Sequence, residues 1–179
     1  MRERRRLGRK RALPGTQGRS RGKRHEEQLK TNGGKLSTNT NPDELVQASF
    51  EGDARRILEL LEAGAGINGY GRYWNPLHAA IENEQIECID LLIKKGADLE
   101  STPKAHPDFT PLAHAVDIAI DGTMQRGGRP GEEPTEAILL LLAAGADPSP
   151  GLAVAEKYRS EFVARVLQRA PKGKDCGTR

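Results

Sequence analysis

One segment recurs along this chain and closes each time on glycine. Residues 45–64 (LVQASFEGDARRILELLEAG) and 77–96 (LHAAIENEQIECIDLLIKKG) overlay without a gap, the leading leucine and the closing glycine 19 residues apart in each. A third segment runs from Leu112 to Gly145, so the leading leucines step by 32 and then 35 residues. The closing tripeptides Gly64-Ala65-Gly66, Gly96-Ala97-Asp98 and Gly145-Ala146-Asp147 step by 32 and 49. A period of about 33 residues is that of stacked helix–turn–helix units joined by a connecting finger, each burying its apolar face against its neighbours.

The apolar spacing inside a unit predicts two short amphipathic helices. In the second unit Leu77, Ala80 and Ile81 define an inner helix, and Ile86, Ile89, Leu92 and Ile93 an outer one. Ala48, Ala79, Ala80, Ala113 and Ala115 allow close helix approach, and glycine after each outer helix supplies a left-handed terminal residue. Aromatics make up only 4% of the chain, so the core must be built from Leu, Ile, Val and Ala, which suit narrow spaces between helices.

Two hexapeptides sharpen this reading. Asn75-Pro76-Leu77-His78-Ala79-Ala80 resembles the T-P-L-H-x-A motif of the ankyrin-repeat family, with Asn for Thr. Thr110-Pro111-Leu112-Ala113-His114-Ala115 is a second copy with His moved on by one place. Lys95-Gly96-Ala97-Asp98-Leu99 and Ala144-Gly145-Ala146-Asp147-Pro148 are similar to the family's closing G-A-D. The resemblance covers about 130 of the 179 residues. It implies an all-α ankyrin solenoid with short β-hairpin-like fingers. Asn75 and Thr110 are helix caps, Pro76 and Pro111 first helical residues, and His78 a hydrogen-bond partner of nearby backbone rather than a catalyst or ligand.

The departures from the repeat are informative. The third unit takes 33 residues from Leu112 to Gly145, and its excess lies near residues 121–134 (DGTMQRGGRPGEEP), which read as a loop between inner and outer helices. That loop, around Met124–Arg129, either extends the binding surface or is a tolerated insertion. Ser149-Pro150 reads as a cap-and-proline start for a last unit. Only 7 residues separate Gly145 from Leu152, too few for a finger. Its outer helix, residues 161–170, turns Phe162, Val163, Val166 and Leu167 inward and Glu161, Arg165, Gln168 and Arg169 outward, as a terminal cap should. The expected organisation is a disordered basic tail (1–40), a repeat domain (41–170, units near 41–68, 69–100, 101–148 and 149–170) and a flexible end (171–179). Asn41-Pro42-Asp43-Glu44 makes the first helix start.

Charge divides the chain in the same place. Residues 1–35 hold 13 Lys+Arg against 3 Asp+Glu, whereas residues 36–179 hold 15 against 22. The runs Arg4-Arg5-Arg6 and Arg9-Lys10-Arg11 have no interleaved aromatic for base stacking, so a solvated tail is favoured over a nucleic-acid arm. Cys88 and Cys176 form no disulfide framework, no apolar run is long enough to span a bilayer, and no secretory h-region follows the N-terminus. The expectation is a cytoplasmic monomer. Gly33-Gly34-Lys35-Leu36 has Leu where a phosphate loop needs Ser or Thr. His25, His78, His106 and His114 lack metal-ligand spacing, and no catalytic motif occurs, so no enzyme, cofactor or metal is expected.

What remains is a surface. The finger Gly69-Tyr70-Gly71-Arg72-Tyr73-Trp74 gathers three of seven aromatics beside an arginine, the side chains that most often anchor protein interfaces. At least one of the three is expected to be structural. The family's contact positions, carried onto matching residues, add Glu82, Asn83, Asp117 and Phe109, with His106 and Asp108 as lesser candidates from the same finger. The expected function is therefore protein binding by an intracellular adaptor or inhibitor, favouring a partner with a basic patch. The composition resembles that of short bacterial repeat proteins, among which toxin neutralisation is one role. The alternative is a nucleic-acid-associated protein whose basic tail binds while the repeats recruit a partner.

Overall fold

A computed structural model describes residues 42–104 and 106–169, and over these it is helical throughout, with no strand. The basic runs, Asn41, the phosphate-loop-like segment and the C-terminal end lie outside the described residues. The helices are α1 (Pro42–Glu51), α2 (Ala54–Glu62), α3 (Pro76–Glu82), α4 (Ile86–Lys94), α5 (Pro111–Gln125), α6 (Glu136–Ala144), α7 (Pro148–Tyr158) and α8 (Glu161–Gln168). An inner row α1–α3–α5–α7 packs side by side, each member carrying its own outer helix, with α2–α4 and α4–α6 touching along the outer row.

The capping chemistry repeats with the sequence. Asn75 Oδ1 accepts from His78 N (2.8 Å) and Thr110 Oγ1 from Ala113 N (3.3 Å), each with proline at the first helical position. Outer helices end on Gly64, Gly96 and Gly145, with φ of 91°, 89° and 100°, followed by bonds from Ala65, Ala97 and Ala146 N to carbonyls five residues back. The predicted leucines Leu45, Leu77 and Leu112 are buried, as are all five predicted packing alanines. So are Val163 and Leu167 of α8.

The fingers are joined to one another by a register-matched bond. Asn68 Oδ1 accepts from Asp98 N (2.9 Å), and Glu100, 32 residues on from Asn68, accepts through Oε1 from Asp147 N (2.8 Å).

Two expectations are corrected. The 121–134 excess is not all loop: α5 continues to Gln125 and ends on Gly127 (φ 74°), with Gly128 N bonded to Thr123 O. Ile120 and Thr123 are buried along this extension, and Thr123 Oγ1 bonds back to Ala119 O (2.7 Å). Apolar burial therefore sustains the helix past Asp121-Gly122. The last unit starts at Pro148, capped by Asp147, whose carboxylate accepts from Ser149 N (3.0 Å), not at Ser149-Pro150. An Asp immediately before a proline outcompetes Ser because Pro148 fits the first helical position and Pro150 still falls where no donor is needed.

Candidate interaction site

The first finger is shaped by its glycines and anchored on α1. Gly71 N donates to Trp74 O (2.9 Å), closing a tight turn, and Arg72 N donates to Asp43 Oδ1 (3.1 Å). A Cβ on Gly71 would lie 2.8 Å from that Asp43 oxygen and 3.2 Å from Val46 Cγ2, so the finger lies close on α1 only because the residue is glycine. The turn leaves Tyr70 41% and Tyr73 49% exposed, and Arg72 also exposed, its guanidinium 5.2 Å from the Tyr73 ring centroid.

Trp74 turns the other way. Its ring stacks on His78 (5.4 Å between centroids) and on His114 (4.8 Å), with Phe109 6.2 Å away. Phe109, from the second finger, lies 4.8 Å from His114 and 6.2 Å from His78. These two rings join the fingers to the inner helices and are half-buried. His106 meets Phe109 edge-on at 6.4 Å and, like Asp108, is exposed.

The inner-helix candidates carry internal bonds as well as surface. Glu82 Oε2 lies 2.9 Å from His114 Nε2, its side chain 25% exposed. Asn83 Nδ2 donates to Phe50 O (2.9 Å), capping the end of α1 from the next unit. Asp117 Oδ1 accepts from the Tyr158 hydroxyl (2.9 Å) and so ties α5 to α7. The structure thus separates the eight predicted residues into an exposed trio, Tyr70, Arg72 and Tyr73, an exposed Asn83, and four half-buried residues that also brace the stack.

Sequence reasoning missed the pairing of His78 with His114, whose Nδ1 atoms approach to 3.0 Å. The signal was present: moving His one place along the hexapeptide turns it toward the preceding repeat. His78 Nε2 meets Ser101 O at 3.1 Å, and Asn75 Nδ2 donates to Ser101 Oγ (2.7 Å). Burial, reinforced by His114, holds the His78 imidazole down to about 4, although the Ser101 carbonyl and Glu82 oppose the shift. Burial raises Tyr70 despite its bond with Ser101, and burial with nearby Glu87 and Asp53 raises the Cys88 thiol, which sits inert in the core. Among the described residues no group of three or more His, Cys, Asp or Glu gathers to hold a metal, and no helix is long and apolar enough to cross a membrane.

One electrostatic property is shared by the first three helices of the inner row. Helices α1, α3 and α5 carry Asp43, Glu44, Glu51, Glu82, Asp117 and Asp121 and no Lys or Arg.

Comparison with known proteins agrees with the repeat geometry. The family model for ankyrin repeats (3 copies) matches residues 45–121. Residues 45–121 are ankyrin repeats. Ankyrin repeat and SOCS box protein 5 of Oryctolagus cuniculus is 39% identical over 69 residues, covering 38% of this chain and 19% of the relative. Its Homo sapiens counterpart is 36% identical over 69 residues, with the same 38% and 19% coverage. The 2-5A-dependent ribonuclease of Mus musculus is 38% identical over 58 residues, 30% of this chain and 8% of that enzyme. The ankyrin chain thus spans a fifth or less of these relatives' length, and the ribonuclease is matched only through its repeats. Ankyrin repeats bind other proteins.

Proposed function

We propose that this ankyrin array is a cytoplasmic, monomeric adaptor or inhibitor with no chemistry of its own, and that its partner seats a basic segment along the inner helices against the first finger. The observation that carries this reading is the pairing of an exposed Tyr70–Arg72–Tyr73 tip with the first three inner helices, α1, α3 and α5, which bear six carboxylates and no Lys or Arg. Aromatic and arginine side chains supply interface anchors, and the acidic helices α1, α3 and α5 supply steering and register. Trp74 and Phe109 support the site from beneath. Glu82, Asn83 and Asp117 form its floor.

A photo-crosslinking residue in place of Tyr73, compared with one in place of Leu139, tests this. Leu139 is equally exposed (52%) but sits on outer helix α6. In extracts of the source cells the Tyr73 probe should yield a discrete adduct that Arg72→Glu diminishes at least tenfold, and the Leu139 probe should not. An adduct from Leu139 alone would place the partner on the opposite row.

A further inference from the structure

The junction between the second and third repeats is a linear chain of polar atoms. It runs from Ser101 O to His78 Nε2 (3.1 Å), from His78 Nδ1 to His114 Nδ1 (3.0 Å), and from His114 Nε2 to Glu82 Oε2 (2.9 Å). Both imidazoles are buried, so water does not substitute for a missing partner. Each link places a demand on the ring protons. A carbonyl oxygen only accepts, so His78 Nε2 carries hydrogen. Two nitrogens facing each other need one hydrogen between them: none leaves two lone pairs opposed, and two leave two donors opposed. A carboxylate only accepts, so His114 Nε2 carries hydrogen too.

We propose that His78 and His114 hold three ring protons between them, one bridging the two Nδ1 atoms, so that the repeat junction is fastened only while the pair carries this single extra proton. The resulting positive charge is balanced by Glu82 and lies on His114, whose ring is 4.8 Å from both Trp74 and Phe109, within cation–π range. His78 is then the neutral acceptor, in keeping with its resistance to protonation. The charged and titratable groups acting on His78 are His114 from α5 and Glu82 from its own helix α3. The fingers present the Ser101 carbonyl, the uncharged rings of Trp74 and Phe109 and, through Ser101, the Tyr70 phenol.

Two limbs follow for stability against pH. A fourth proton on the acid side opposes two Nδ1–H groups. The folded chain resists it down to about 4 while the unfolded chain takes it up near 6.5, so stability rises with pH across that interval. Loss of the third proton on the alkaline side leaves one of the three links, at Ser101 O, between the Nδ1 atoms or at Glu82, without hydrogen, so stability falls again. Glu82→Gln discriminates this from ordinary burial of histidine. An amide both accepts and donates, so it satisfies His114 Nε2 with or without hydrogen, and the alkaline limb should vanish while the acid limb remains.

The test uses the full chain with no ligand. Unfolding midpoints of wild type and Glu82→Gln are measured across pH, together with histidine ring 15N spectra of the wild type. The expected results are a maximum in the wild-type profile, a flat alkaline side in the variant, and at the maximum one imidazole with both nitrogens protonated facing one with hydrogen only on Nε2. An unchanged alkaline limb in Glu82→Gln, or two singly protonated rings at the wild-type maximum, overturns the proposal. The ring spectra decide alone if the variant does not fold.

Discussion

Asn68 and Glu100 show how much one side chain contributes to a repeat junction. Each stands 32 residues from the other and accepts a hydrogen bond from the backbone N–H of the next unit's G-A-D aspartate. The donor would otherwise face solvent, so the net contribution sits at the lower end of the usual range, about 0.5–1 kcal/mol. Asn68→Ala should therefore lower stability by about that amount in a denaturant titration, and Asn68→Asp, which keeps an acceptor, should not. Equal losses in both variants would mean that Asn68 acts through something other than this bond. Gly71 answers to a different constraint: Asp43 and Val46 close off the space where a Cβ would stand.

At the level of elements, what was legible in the sequence was whatever the repeat register encodes. The inner starts at Asn75 and Thr110, the glycine stops and the buried leucines recur in the same order in each unit, and all appear in place. Where the register broke, local signals were weaker than packing. Asp121-Gly122 reads as a loop, yet α5 passes through it because Ile120 and Thr123 find buried places on either side. The helix then stops on Gly127, with the bond from Gly128 N to Thr123 O that also follows Gly96 as Ala97 N to Leu92 O. Nothing lies within 4 Å of a Cβ built on Gly96 or Gly127, so substitution there tests backbone conformation alone. Gly96→Ala and Gly127→Ala should each cost about 1–2 kcal/mol, the penalty for placing an L-residue in the left-handed region. Asn at either position should cost less. A neutral Gly127→Ala would mean that α5 ends elsewhere in solution. The site was less legible than the fold, because the finger's composition shows which residues are suited to anchor a partner but not which way each turns. Trp74 turned onto two histidines, and Asp117 was taken by Tyr158, a residue 41 positions away.

The whole molecule is a row of neighbours, so the consequence of a change depends on where in the row it falls. The two described ends differ. At the α1–α2 end a concave face is lined by Asp43, Glu44, Gln47, Glu51, Asp53 and Arg56, a polar finish of the kind a terminal repeat needs. At the other described end stands the shorter unit of α7 and α8. Gly151 of α7 lies so close that an added Cβ would meet Leu112, Val116 and Leu167 at 3.3–3.5 Å. Leu167, fully buried, therefore shares the surroundings of Gly151 with Leu112 and Val116 of α5. Leu167→Ala removes a buried side chain for which losses of about 2–5 kcal/mol are usual, and in a linear array that loss should stay local. Native-state hydrogen exchange should show α7 and α8 opening first, α5 partly deprotected, and α1 and α2 unchanged. Ile89→Ala, equally buried but central in α4, should instead deprotect helices on both sides. A uniform loss of protection over all eight helices in Leu167→Ala would show that the array folds as one indivisible unit, and that its groove cannot loosen at one end while the Tyr70–Tyr73 finger stays built.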